Sequence, residues 1–187
     1  LKMYPGVLGI ERDYYLKKDE NSKKILDEYK KHVKRMFNLI GFSEDESLEE
    51  SSRIIEFEKK IASIRLDKVS RRDPSKTYNP IKLEDLYEYL PLIDWKKIFE
   101  TVGLKNINSL VLSDLNYFKS INEILQTVSI DEIKSYLKWT IIDGSASSLS
   151  MDIDKANWDF YGKVLNGSVS QRALEKRAVQ VVNSSLG

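Results

Sequence analysis

The chain has 187 residues, 32% of them charged, with 30 basic and 29 acidic side chains and a formal net charge of +1. That length buries a full core without staples, and the near-neutral balance lacks the basic excess of a dedicated nucleic-acid binder. There is no cysteine, which excludes a disulfide framework and a thiolate metal site. No apolar run reaches the length that spans a bilayer. The opening Leu1-Lys2-Met3-Tyr4-Pro5-Gly6 holds no signal peptide, and its missing initiator makes a longer natural chain the expectation.

In chain order, Ile25, Tyr29, Val33, Met36 and Ile40 recur at spacings of three and four, predicting an amphipathic helix over about Asn21–Ile40. Gly41 follows as its stop. Ser43 and Glu46 then form a capping box, so only Gly41-Phe42 separates two helices, a tight helical hairpin. The second helix runs over about Glu44–Arg65 with the stripe Leu48, Ile54, Ile55, Ile61 and Ala62. Glu58 interrupts that stripe. A carboxylate on the core side needs a partner, and the expectation is an arginine fork from Arg65, Arg71 or Arg72.

A polar loop with two prolines, Arg71-Arg72-Asp73-Pro74-Ser75-Lys76-Thr77-Tyr78-Asn79-Pro80, closes the 66–80 connection. Short helices follow over Leu83–Tyr89, ended by Pro91, and from Asp94 as N-cap to about Val102. Ser109–Leu112 reads as a brief extended or turn segment. Ser113 is the expected cap of a helix with the face Leu115, Phe118, Ile121, Leu125 and Val128. A second capping box, Ser129 with Glu132, starts a helix with the face Ile133, Leu137 and Ile141. Gly144 and the serines at 145, 147, 148 and 150 predict a break there. Helix resumes over about Asp154–Leu165, ends at Asn166-Gly167, and returns over about Gln171–Ser185. The class is all-α: a multi-helix lobe with short loops and antiparallel helix hairpins, taken as one lobe over 1–187.

Bond-breaking chemistry is hard to place. A helical zinc hydrolase site needs two histidines four residues apart, and this chain has one, His32, in a Lys/Arg-rich helix where a surface position is expected. There is no Gly-x-Ser-x-Gly elbow, no phosphate-cradling glycine loop, and no histidine near the Ser145–Ser150 cluster, which reads as a kink or a close helix contact. Lys17–Arg35 carries eight basic and four acidic residues, a wet helix face that the hairpin sets near the acidic Glu44–Glu50. Glu49-Glu50 and Asp152/Asp154 read as solvated or capping carboxylates rather than an acid/base pair.

Several segments together resemble the N-terminal, non-catalytic region of the neprilysin-like zinc metallopeptidases, the family of neprilysin, endothelin-converting enzyme and oligoendopeptidase O. They are Gly9–Leu16 (GIERDYYL), Phe57–Ala62 (FEKKIA), the Arg71–Pro80 loop, Asp94-Trp95, Tyr136–Trp139 (YLKW), Gly167, and Lys176–Val179 (KRAV) with Val182-Asn183 and Leu186-Gly187 behind it. Ile10-Glu11 stands where a leucine-proline is usual, and Leu174 or Glu175 where the family has a tryptophan. The resemblance implies a two-lobed peptidase in which a thermolysin-like lobe carries H-E-x-x-H and zinc, while a helical lobe caps a chamber that admits peptides. This chain is similar to the capping lobe; the catalytic lobe is its implied partner and peptides its implied substrates. No catalytic, cofactor-binding or metal-ligating residue is carried over, and the chain alone is expected to be inactive. The absent cysteines point to a bacterial member, since animal relatives use disulfides; the compartment stays open, with export favoured. The alternative is a stand-alone helical protein-interaction module. Nucleic-acid binding through Lys17–Arg35 is a third class and is not expected.

Overall fold

The computed structural model describes residues 1–104 and 106–186. A two-residue strand, β1 (Lys2–Met3), leads through an extended strap over residues 4–10 into α1 (Arg12–Leu16). Next comes the hairpin of α2 (Glu20–Leu39) and α3 (Glu44–Ile64). Asp19 caps α2 through Ser22 N–H at 3.0 Å. Gly41, at φ +100°, takes the left-handed turn that ends it. Ser43 and Glu46 form the expected box: Glu46 N–H donates to Ser43 Oγ, and Ser43 N–H to Glu46 Oε2.

Beyond α3 the connection is built from local caps. Asp67 accepts from the N–H groups of Val69 and Ser70, both at 2.9 Å, and starts a 3-10 turn over Ser70–Arg72. Asp73 caps α4 (Pro74–Thr77), whose proline sits in the first turn where no N–H partner is needed. Then follow β2 (Asn79–Lys82), α5 (Leu83–Tyr89), α6 (Trp95–Thr101) and β3 (Ser109–Leu112). Asp94 caps α6 as expected, accepting from Lys97 N–H at 3.0 Å.

The three short strands form one sheet in the order β1-β3-β2, with β1 parallel and β2 antiparallel to β3. This sheet adds to an otherwise helical fold. Pro80 pairs opposite Val111 on edge strand β2, where a missing donor is tolerated.

The remaining chain is α7 (Leu115–Thr127), α8 (Ile130–Ser145), a 3-10 turn over Ala146–Ser148, α9 (Met151–Trp158), a π-helical stretch over Asp159–Leu165, and α10 (Leu174–Leu186). Two expectations need correcting here. Asp114, not Ser113, caps α7, because the helix starts at Leu115 and sets Asp114 at the N-cap position, where it accepts from Tyr117 N–H at 3.0 Å. The buried face of α8 is Ser135, Trp139 and Ile142, with Ala146 beyond, whereas Leu137 and Ile141 are exposed. α8 is apolar on two sides, and the side carrying the largest ring is the one buried. The break after α8 falls at 146–150, with Gly144 still inside the helix.

α3 is the spine. Ile54, Ile55 and Ala62 join one core with Tyr29, Val33, Met36 and Phe37 of α2, Trp139 of α8, and Phe160. Phe57 and Ile61 join a second core with Leu86, Trp95, Phe99, Leu112 and Phe118. Leu48, placed on the stripe by periodicity, is exposed near the start of α3.

Candidate functional site

Glu58 lies between these two cores and is 1% exposed. Its Oε1 accepts from Gly9 N–H at 3.1 Å and from the Tyr29 hydroxyl at 3.2 Å, and its Oε2 accepts from the Tyr15 hydroxyl at 2.9 Å. Trp139 Nε1 in turn donates to Tyr29 Oη at 2.7 Å. The expected arginine partner is a correction: the carboxylate is satisfied by two phenols and one amide. Arg65 stands two helical turns, about 10 Å, further along the axis, and its guanidinium donates to Gly6 C=O at 2.9 Å. Arg71 pairs with Glu11 at 2.7 Å, and Arg72 does not reach Glu58 either.

Two of the segments that carry the family resemblance, Gly9–Leu16 and Phe57–Ala62, therefore meet at one carboxyl, and a third, Tyr136–Trp139, reaches it through the Tyr29 hydroxyl. Burial pushes the Glu58 carboxyl up to about 7, against the opposing pull of its three hydrogen bonds. Buried, with both oxygens engaged by the protein, it is closed to a substrate. It pins the strap. Gly6 N–H donates to Tyr117 Oη at 3.0 Å and Tyr136 Oη–H donates to Val7 C=O at 2.7 Å, so side chains from α7 and α8 hold the same strap. Gly9 is required by proximity: a Cβ there would lie 1.8 Å from Tyr29 Oη.

His32 is also a correction. It is buried, not on the surface, with its ring stacked on Phe160 at 4.9 Å and edge-on to Trp139 and Tyr161. Neither ring nitrogen has a hydrogen-bond partner, and burial lowers its pKa to about 3. The basic residues of α2 surround it in sequence, but its own position falls on the inner face beside Val33. Asp143, close to this cluster, accepts from Tyr161 Oη at 3.2 Å and is pushed by burial up to about 6.

The other singled-out residues do not assemble a reaction centre. Glu50 is buried and bridges Lys138 of α8 at 2.8 Å, while Glu49 pairs with Arg53 one turn along α3. Asp154 is half-buried and accepts from Arg177 at 2.8 Å; Asp152 is exposed. The expected solvated role thus fails for Glu50 and Asp154, each held by a cation from another helix. The basic run of Lys17–Arg35 meets the acidic start of α3 through Lys34–Glu44, reaches Asp13 from Lys17 at 2.9 Å and Asp159 from Arg35 at 3.7 Å, and also pairs within itself, as in Lys31–Glu28 at 2.7 Å. The Arg71–Pro80 loop is a connector: Asn79 Nδ2 donates to Lys76 C=O and Leu112 C=O, both at 2.9 Å, and so sews α4 to β3.

Among the described residues, no three of His, Cys, Asp and Glu are grouped to hold a metal ion. A buried, neutral histidine and scattered carboxylates do not fit zinc. No helix among them is long and apolar enough to cross a membrane. Among the described residues, α10 and α8 leave apolar side chains uncovered. α10 has no buried residue and exposes Leu174, Val179, Val182 and Leu186, and α8 exposes Leu137 and Ile141.

This helical fold has known counterparts. The model of peptidase family M13 matches residues 1–187, and the chain belongs to that family, corresponding to the N-terminal part of its members. The cryo-EM structure of the zinc metalloprotease Zmp1 of Mycobacterium tuberculosis in its open state superposes with a TM-score of 0.92 at 26% identity. That match covers all of this chain and 29% of the other. Neprilysin-1 of Caenorhabditis elegans is 30% identical over 97% of this chain and 26% of its own length. Human endothelin-converting enzyme 1 is 27% identical over 82% of this chain and 20% of its own length. The chain thus spans about a quarter or less of the curated relatives it matches.

Proposed function

We propose that this chain is the non-catalytic helical lobe of a zinc-dependent metalloendopeptidase that hydrolyses peptides, and that in the intact enzyme it limits substrate size at the active-site chamber. The observation that carries this is the family match along residues 1–187, joined to the close superposition on a zinc metalloprotease. Zinc, when bound by the complete enzyme, polarises the scissile carbonyl and activates water; its ligands belong to a catalytic lobe outside these residues. What this lobe supplies is a wall. The α2–α3 hairpin, braced by α8 and by the Glu58 pin, is a stiff surface that excludes bulky substrates and water. The uncovered faces of α10 and α8 are apolar surfaces suited to contact with the rest of the enzyme.

The test compares the isolated chain with the complete gene product. The isolated chain is expected to show no zinc-dependent peptide cleavage. The complete protein is expected to cleave short peptides, to lose that activity with a chelator, and to leave folded proteins intact. Zinc-dependent cleavage by the isolated chain would refute the assignment, and cleavage of folded proteins at peptide-like rates would refute the size filter. A stand-alone interaction module would use the same exposed α10 face. A coding sequence without H-E-x-x-H downstream would favour that alternative.

A further inference from the structure

β1 lies at the edge of the small sheet, with β3 on one side only. Val111 N–H donates to Leu1 C=O at 2.9 Å and Ser113 N–H to Met3 C=O at 3.0 Å. Leu1 and Met3 therefore turn their backbone groups toward β3. Backbone direction alternates along an extended chain, so Lys2 and Tyr4 point their N–H and C=O groups outward. Two such residues, two positions apart, are the repeat that an added strand needs. Pro5 brings no N–H and ends this edge.

The two faces beside the edge differ in chemistry. On the Met3 face lies an apolar cavity of about 300 Å³, with Met3, Phe57, Ile61, Trp95, Phe118 and Leu137 among its lining residues. Lys2 and Tyr4 belong to the opposite face. Tyr4 is exposed there, and the Lys2 ammonium lies over its ring at 5.5 Å. Arg65, Arg71 and Asp114 stand on that side too, but are spent on Gly6 C=O, Glu11 and the α7 cap. Lys2 is the charge left for a ligand.

That charge selects the occupant. A second copy of the chain, paired edge to edge, would set two Lys2 ammoniums on a short strand pair, and like charges there are unfavourable. Lysine on an edge strand discourages such self-pairing. A strand carrying an acidic residue meets Lys2 with the opposite sign.

We propose that the β1 edge binds a peptide in extended conformation. Its backbone pairs with Lys2 and Tyr4, one large apolar side chain enters the cavity on the Met3 face, and an acidic neighbour turns to Lys2. The source of the peptide rests on the peptidase reading above. Binding to this lobe needs no cleavage, so either idea can fail while the other stands.

An NMR titration of the isotope-labelled chain with the capped pentapeptide Thr-Asp-Phe-Glu-Thr tests this. Saturable shifts of the Lys2 and Tyr4 amides are expected. Asp-Thr-Phe-Thr-Glu has the same composition but carries its acids on the face of its phenylalanine, and should bind about tenfold more weakly or worse. Methylating the backbone nitrogens of the first peptide should abolish binding, since strand pairing is lost. Lys2→Glu changes an exposed side chain. It should weaken the acidic peptide by a similar factor and favour Thr-Lys-Phe-Lys-Thr, a reversal that a folding defect does not produce. Absence of saturation, equal affinity for the two acidic peptides, or binding that survives methylation overturns the proposal. So do shifts of the same amides with chain concentration alone, which would assign the edge to a second copy.

Discussion

Replacing Glu58 by Gln keeps the shape of the pin and removes its charge. The ordinary glutamate value is 4.5, and burial raises Glu58 to about 7 in the fold. A carboxyl whose folded pKa is raised binds a proton more tightly in the native state than in the unfolded one. Its contribution is therefore complete below pH 4.5 and is lost as pH rises through 7. The rise from 4.5 to about 7 corresponds to on the order of 3 kcal/mol. Urea melts at pH 4.5, 6, 7 and 8.5 measure it directly. The stability of the parent relative to Glu58→Gln should fall by about that amount between pH 4.5 and 8.5. His32 titrates in both proteins and cancels in the difference; Asp143, whose charge helps raise Glu58, cancels except for that coupling. Parallel profiles would mean that Glu58 is not perturbed. A difference that grows with pH would mean that the three hydrogen bonds outweigh burial and that the carboxylate is the preferred form.

Three further outcomes are expected. His32→Phe keeps an aromatic ring against Phe160 and removes a group whose folded pKa is depressed from 6.5 to about 3. Histidine's contribution is lost as pH falls below 6.5, so the variant should exceed the parent in stability at pH 4 by about 3 kcal/mol, and a less stable variant in acid melts would contradict the burial argument. Gly9→Ala places a methyl against the Tyr29 hydroxyl. It should cost about 3 kcal/mol by overpacking and loss of the Gly9–Glu58 bond, and an unchanged thermal midpoint would show that the strap is not pinned there. Ser43→Ala should cost about 1 kcal/mol in a urea melt through loss of the α3 cap, and no loss would show that the box is ornamental.

Local chemistry made much of the fold legible. The α2–α3 hairpin, both capping boxes, the Asp94 cap and the limits of α5 each follow from residues within one turn of the feature they set. What escaped depends on distant partners. β1 and β2 are two and four residues long, too short for alternation to register. The buried face of α8 was decided by competition between two apolar sides, and only packing against the hairpin settles which one wins. His32 looked exposed because its neighbours are basic. Its angular position beside Val33, on the stripe of Tyr29 and Met36, was the available signal. The position of Glu58 on the core face was readable, but its partners come from residues 29 to 49 positions earlier, which no local pattern connects. The segments resembling the family contained Tyr15 and Trp139 without revealing that they converge.

The strap also sets an order of events during synthesis. Gly6 waits for Tyr117, 111 residues later, and Val7 for Tyr136, 129 residues later. At about 5–20 residues per second, the ribosome needs roughly 6 to 26 s to supply that last hydroxyl after Val7 has been made. The α2–α3 hairpin is complete long before then. Gly6 and Val7 are thus made well before the side chains that fix them, and the nascent lobe closes only when α8 arrives to clasp the strap.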